Sequence, residues 1–109
     1  MSESIALLNT SILTNFGTFL YREASLKEVL SVLFYAPHVE SFIGHQSTAD
    51  LLAQVLGRDV PMNRTPYSQQ VGEVAVVFKL NGRAPEGTIL SRDEIEAIGY
   101  TLGFLCREA

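Results

Sequence analysis

The sequence predicts a single α/β domain over residues 1–109, in which one mixed sheet of about five strands carries about three packed helices. Three observations predict it. A chain of 109 residues is one domain's worth of sequence and supports one core. Hydrophobic residues make up 47% and charged residues 18%, enough apolar side chain for a compact interior and too little charge for a disordered chain. Finally, short apolar or alternating segments trade places along the chain with segments of helical spacing, without internal repeats or low-complexity stretches.

The elements follow in order. Ile5 to Leu8 is an apolar run ending at Asn9-Thr10-Ser11, residues that favour turns, so it predicts a buried strand and a loop. Thr18 to Arg22 combines β-branched and aromatic residues and predicts a second strand ending near Ala24. Ser25 with Glu28 forms a capping box, and Leu26, Val29, Leu30 and Leu33 recur at helical spacing, which predicts a helix to Tyr35, stopped by Pro37. Val39 to Ile43 predicts a brief third strand. It enters Gly44-His45-Gln46-Ser47-Thr48, where Ser47 or Thr48 is the expected cap of a helix with apolar face Leu51, Leu52, Val55 and Leu56, ending at Gly57. Arg58 to Gly72 has no period and reads as an extended connection or a short strand. Val74 to Leu80 is the strongest strand, and its near-continuous apolar character fits a central strand covered on both faces. Asn81-Gly82 and Pro85-Glu86-Gly87 predict turns; Ser91 with Glu94 caps a short helix to Ile98, and Tyr100 to Cys106 predicts the last strand.

Composition removes several function classes. A formal charge of −4 argues against a coat for long DNA or RNA, which relies on broad phosphate neutralisation. The longest apolar runs, Val32 to Ala36 and Val74 to Phe78, are five residues long, far short of the roughly 20 a membrane helix needs. Met1-Ser2-Glu3-Ser4 carries an acid where a signal peptide is basic, and the single Cys106 fits a reducing compartment, so a cytoplasmic protein is expected. His38, His45 and Cys106 lack the paired spacings of zinc ligands, and no metal or other cofactor is expected. The phosphate-loop, dinucleotide and hydrolase-elbow motifs are absent from the sequence.

What remains is a set of polar residues at strand ends. His45 lies between an apolar strand and a helix start, where backbone N–H groups and the helix dipole favour phosphate; the bland alternative is a histidine that caps or packs. Charge is also uneven: residues 58–83 hold Arg58, Arg64, Lys79 and Arg83 against Asp59 and Glu73, a net +2, while the remainder is net −6. The middle segment is the anion-friendly part, or else an ordinary solvated surface.

Four motifs in sequence, Asn9-Thr10-Ser11, Gly44-His45-Gln46-Ser47-Thr48-Ala49, Asn63-Arg64, and Arg83-Ala84-Pro85-Glu86-Gly87 with Ile89-Leu90, resemble the viral type III anti-CRISPR ring nuclease family from Leu7 to about Glu96. The resemblance implies a homodimeric enzyme, in the host cytoplasm if viral, that binds cyclic tetra-adenylate and cuts it without metal into linear di-adenylates with 2′,3′-cyclic phosphates. It implies that His45 is the catalytic histidine, Arg83 and Glu86 its charged companions, Arg64 a ligand contact, and Asn9 and Ser11 binding residues of the first loop. Gly44, Ser47, Thr48 and Lys79 complete the implied ligand-binding set. Lys79 stands where many relatives carry glutamine, a change that keeps a donor, removes an acceptor and adds a charge.

The residue inventory is consistent with that chemistry. Cleavage to a cyclic phosphate uses the substrate's own 2′-OH as nucleophile, so the protein supplies positioning, charge stabilisation and a proton for the leaving 5′-oxygen. Histidine suits the proton role, and arginine can hold a phosphate bidentately. Two other classes remain open on sequence: a non-catalytic module that sequesters a cyclic nucleotide with the same cations, and a dimeric interaction protein in which the motifs are structural turns.

Overall fold

The computed structural model describes residues 4–82 and 90–109. Along the chain these form β1 (Ser4–Leu8), β2 (Phe19–Ala24), α1 (Leu26–Tyr35), β3 (His38–Ser41), α2 (Gln46–Leu56), β4 (Val74–Leu80), α3 (Arg92–Ile98) and β5 (Tyr100–Arg107). The five strands make one sheet in the order β2-β5-β4-β1-β3. β1 runs parallel to both β3 and β4, whereas β5 is antiparallel to β4 and β2, so the sheet is mixed, as the sequence predicts. The apolar run in β4 occupies the middle position, and Ala75 to Phe78 are all buried.

The two faces are covered differently. Val76 and Phe78 of β4, Leu7 of β1 and Leu102 and Phe104 of β5 join Val29 and Leu33 of α1, Leu52 and Val55 of α2 and Ile95 of α3 in the main core. All three helices therefore pack on this face. On the other face Ala6, Leu8, Ala75, Val77 and Leu105 form a second cluster, against which Phe19, Phe42 and Tyr67 pack. Tyr67 comes from the connection at 58–72, which forms no strand. Val60 of the same connection belongs to the helix-side core, so the segment crosses from one face of the sheet to the other.

Local chemistry explains the ends of the elements. Ser25 and Ser91 each cap a helix by accepting from the N–H of Glu28 and Glu94, and both glutamates accept the return bond from the cap N–H, giving the two predicted capping boxes. Gly57 closes α2 at φ 67°, a left-handed conformation that favours glycine. Two expectations need correction. β3 starts at His38 and ends at Ser41 rather than spanning Val39 to Ile43. The Ile43 N–H turns back to the Ser41 hydroxyl at 3.2 Å, and Asn63 takes the Ile43 carbonyl at 2.9 Å, so these groups leave the ladder. Likewise neither Ser47 nor Thr48 caps α2. The cap is His45, whose carbonyl accepts the first helical bond from the Ala49 N–H at 3.0 Å, and Ser47 and Thr48 fall in the first turn. The expected turn at Pro85-Glu86-Gly87 lies outside the described residues.

Tyr67 gives a pH-dependent term. Its ring packs on Phe42 with centroids 4.7 Å apart, and its hydroxyl is buried without a hydrogen-bond partner among the described residues. Burial, with the charge of Glu73 adding to it, pushes the phenol up to about 12. An unfolded phenol ionises near pH 10, so between about pH 10 and 12 the unfolded chain releases a proton that the native one retains, and stability falls as pH rises. Tyr67→Phe is expected to remove about 1 kcal/mol of that loss at pH 11. Denaturant midpoints of both proteins at pH 9 and pH 11 check it; an equal fall in both would show that Tyr67 does not contribute.

Candidate functional site

The C-terminal ends of the three parallel strands open on one edge of the sheet, the place where α/β sheets usually bind ligands. β1 lies between β4 and β3, so the outer two are about 10 Å apart at the usual strand spacing. Each end delivers one of the predicted motifs. Asn9 and Ser11 follow β1 and are half-buried; Gly44 and His45 follow β3 and lead into α2; Lys79 is the penultimate residue of β4.

At the β4 end, Lys79 lies on the face opposite the helices, because Val76, Phe78 and Leu80 take the helix-side positions. Its Nζ donates to the Ser11 hydroxyl at 2.8 Å, which ties the end of β4 to the loop after β1. The same ammonium is 5.7 Å from the centroid of the Tyr21 ring. Among the described residues no carboxylate pairs with Lys79.

At the β3 end, the crossing connection acts as a strap. The Asn63 side-chain amide donates to the Ser41 carbonyl at 2.9 Å, and its backbone N–H donates to Ile43. Arg64 Nε then donates to the Gly44 carbonyl at 3.0 Å. The Arg64 side chain rests on Gly44 closely enough that an added Cβ there would stand 3.3 Å from Arg64 Cγ. Guanidinium and helix start are thus held side by side, and Nε is used while the terminal nitrogens of Arg64 make no bond within the described residues.

His45 is exposed and makes no side-chain cap, and α2 carries no acid in its first turn. The N–H groups of the first turn, including those of Ser47 and Thr48, accordingly lack the side-chain acceptor that α1 and α3 receive from Ser25 and Ser91. Such an end carries a partial positive charge and unpaired donors, which suits an anion.

The structure therefore brings Ser11 to Lys79, and Arg64 to Gly44 beside His45, while Asn9 directly follows β1, the strand between β4 and β3. Arg83 and Glu86 lie outside the described residues. Sequence reasoning missed Asn63 as the strap and Tyr21 as the neighbour of Lys79. The polar pair Asn63-Arg64 between Pro61 and Pro66 was the available signal for the first; for Tyr21 there was none, because the contact depends on strand order.

Comparison with known proteins places these features in context. The family model described as STIV B116-like matches residues 5–102. An uncharacterized protein, YddF, from Bacillus subtilis strain 168 is 34% identical over 104 residues, covering 94% of this chain and 96% of that protein. The uncharacterized protein ORF117 of Acidianus two-tailed virus is 40% identical over 68 residues, covering 62% of this chain and 58% of its own. Among solved structures, B116 of Sulfolobus turreted icosahedral virus superposes with a TM-score of 0.83 over 95% of this chain and 99% of its own, at 20% identity, a likeness of fold.

Proposed function

The chain belongs to the STIV B116-like family, which has members in archaeal viruses, and on that premise we propose that it is a metal-independent ring nuclease that cleaves cyclic tetra-adenylate and so switches off type III CRISPR signalling. The observation that carries the reading is the convergence of Ser11 with Lys79, and of Arg64 with the uncapped helix start at His45, on the edge formed by β1, β3 and β4. The four sequence motifs that resemble the ring nucleases all begin within the residues that the family model matches.

In this reading the 2′-OH of an adenosine attacks its own 3′ phosphorus. The bond from phosphorus to the 5′-oxygen breaks as the bond to the 2′-oxygen forms; the 2′ proton passes to water, and His45 protonates the departing 5′-oxygen. Arg64, Lys79 and the first-turn N–H groups of α2 hold the phosphates, and Arg83, with Glu86 as the charged companion that the sequence resemblance implies, stabilises the charge that develops. Asn9 and Ser11 orient the ring. A cyclic tetranucleotide admits two-fold symmetry, so a C2 dimer would present His45 to two opposite phosphodiesters.

Incubation with cyclic tetra-adenylate in EDTA, followed by mass spectrometry, tests the chemistry. Linear di-adenylate with a 2′,3′-cyclic phosphate is expected. Intact ring recovered from the protein would make it a sequestering module, and absence of binding would leave only an interaction protein. Titration and sedimentation are expected to give one ring per two chains; a monomer that cleaves one ring per chain would overturn the two-fold arrangement.

A further inference from the structure

Lys79 is a half-buried cation whose two polar or aromatic partners among the described residues, a hydroxyl and an aromatic face, leave its charge in place. The hydroxyl is that of Ser11, which accepts at 2.8 Å, and the face is that of Tyr21, 5.7 Å from Nζ. Tyr21 does not belong to a neighbouring strand of β4: β5 lies between β2 and β4, and Tyr21 is paired with Leu105 while Lys79 is paired with Thr101. The ring reaches Lys79 by lying diagonally across β5 at Gly103. A Cβ on Gly103 would stand 2.8 Å from Tyr21 Cε1 and 3.0 Å from the Arg22 carbonyl, so a side chain there would displace the ring from this position. The missing side chain makes the channel in which the ring lies.

We propose that Tyr21, seated over Gly103, is a positioning residue that with the Ser11 hydroxyl fixes the Lys79 ammonium as a phosphate-contacting group of the site. A free lysine loses side-chain entropy when it is ordered on a ligand. Tyr21 and Ser11 order it beforehand and neutralise none of its charge, whereas a carboxylate partner would compete with the phosphate. An aromatic face attracts an ammonium electrostatically and leaves its N–H donors free for a second acceptor. The inference rests on the proposed nucleotide as ligand and adds a residue on β2 to the site.

The experiment compares wild type, Tyr21→Phe, Tyr21→Leu, Lys79→Met and the Tyr21→Leu/Lys79→Met double variant. Equilibrium affinity for cyclic tetra-adenylate is measured for each, and NMR shifts of the Lys79 ε-methylene for wild type, Tyr21→Phe and Tyr21→Leu, which retain the lysine. Ring-current shielding of the methylene is expected in wild type and Tyr21→Phe and is lost in Tyr21→Leu. Tyr21→Leu is expected to weaken binding by about 3–10-fold, Tyr21→Phe to restore it, and the leucine to have no further effect once Lys79 is methionine. A wild-type protein that fails to bind the ring overturns the nucleotide reading and this inference together. Wild-type binding with unchanged affinity in Tyr21→Leu, or an equal loss in the Lys79→Met background, overturns the inference alone.

Discussion

Replacing His45 by alanine is expected to slow cleavage of cyclic tetra-adenylate by about 10²–10⁴-fold, the usual worth of general acid catalysis, while affinity for the ring changes only a few-fold. The separation follows from the place of the residue. His45 holds the start of α2 through its backbone, since its carbonyl accepts from Ala49, and its exposed side chain makes no capping bond. Alanine preserves that backbone bond and removes only the imidazole, so the melting temperature should stay within a few degrees of wild type. The phosphate contacts proposed for Arg64 and Lys79 are untouched by the substitution. Single-turnover rates and equilibrium affinities on the same preparation check the claim. Cleavage at the wild-type rate would move the acid role to another group, and a parallel loss of affinity and rate would make His45 a binding residue.

How far the fold could be read ahead depended on the range of the interactions involved. Ser25 with Glu28 and Ser91 with Glu94 close capping boxes within a single turn, so residue type and spacing suffice to place both helix starts. β4 was legible because a strand buried on both faces must be apolar at consecutive positions. The start of α2 was not, although Ser47 and Thr48 are strong cap formers. There the chain is turned by tertiary bonds, Asn63 to Ile43 and Arg64 to Gly44, from a segment with no period of its own. The site divides in the same way. Asn9, Ser11, Gly44 and His45 lie where a strand ends and a loop begins, which the sequence marks by a change from apolar to polar residues. The contact of Lys79 with Tyr21 requires β5 to insert between β2 and β4 and Gly103 to face the ring, and no local pattern encodes strand order.

Phe78→Ala is expected to destabilise the protein by about 3–5 kcal/mol, against a total of about 5–15 kcal/mol for a domain of this size. Phe78 is 1% exposed and sits on the helix side of the central strand. Its ring lies 5.7 Å from that of Tyr100 in a tilted arrangement, within the core that also receives Leu52 of α2 and Ile95 of α3. Truncation therefore removes one large side chain and opens a cavity where strand and helices meet, and the neighbours on regular elements cannot collapse into it cheaply. Phe16 supplies the contrast, since its side chain is fully exposed and its carbonyl accepts from Arg107. Phe16→Ala should remain within about 0.5 kcal/mol of wild type. Urea unfolding of the two variants beside wild type measures both values. A loss under about 1.5 kcal/mol for Phe78→Ala would mean that the core closes over the missing ring. The substitution also bears on the site, because Lys79 is the next residue along β4 and points from the opposite face. A folded fraction of Phe78→Ala that binds cyclic tetra-adenylate as wild type does would show that the helix side of β4 holds the fold without setting the geometry of the ligand edge.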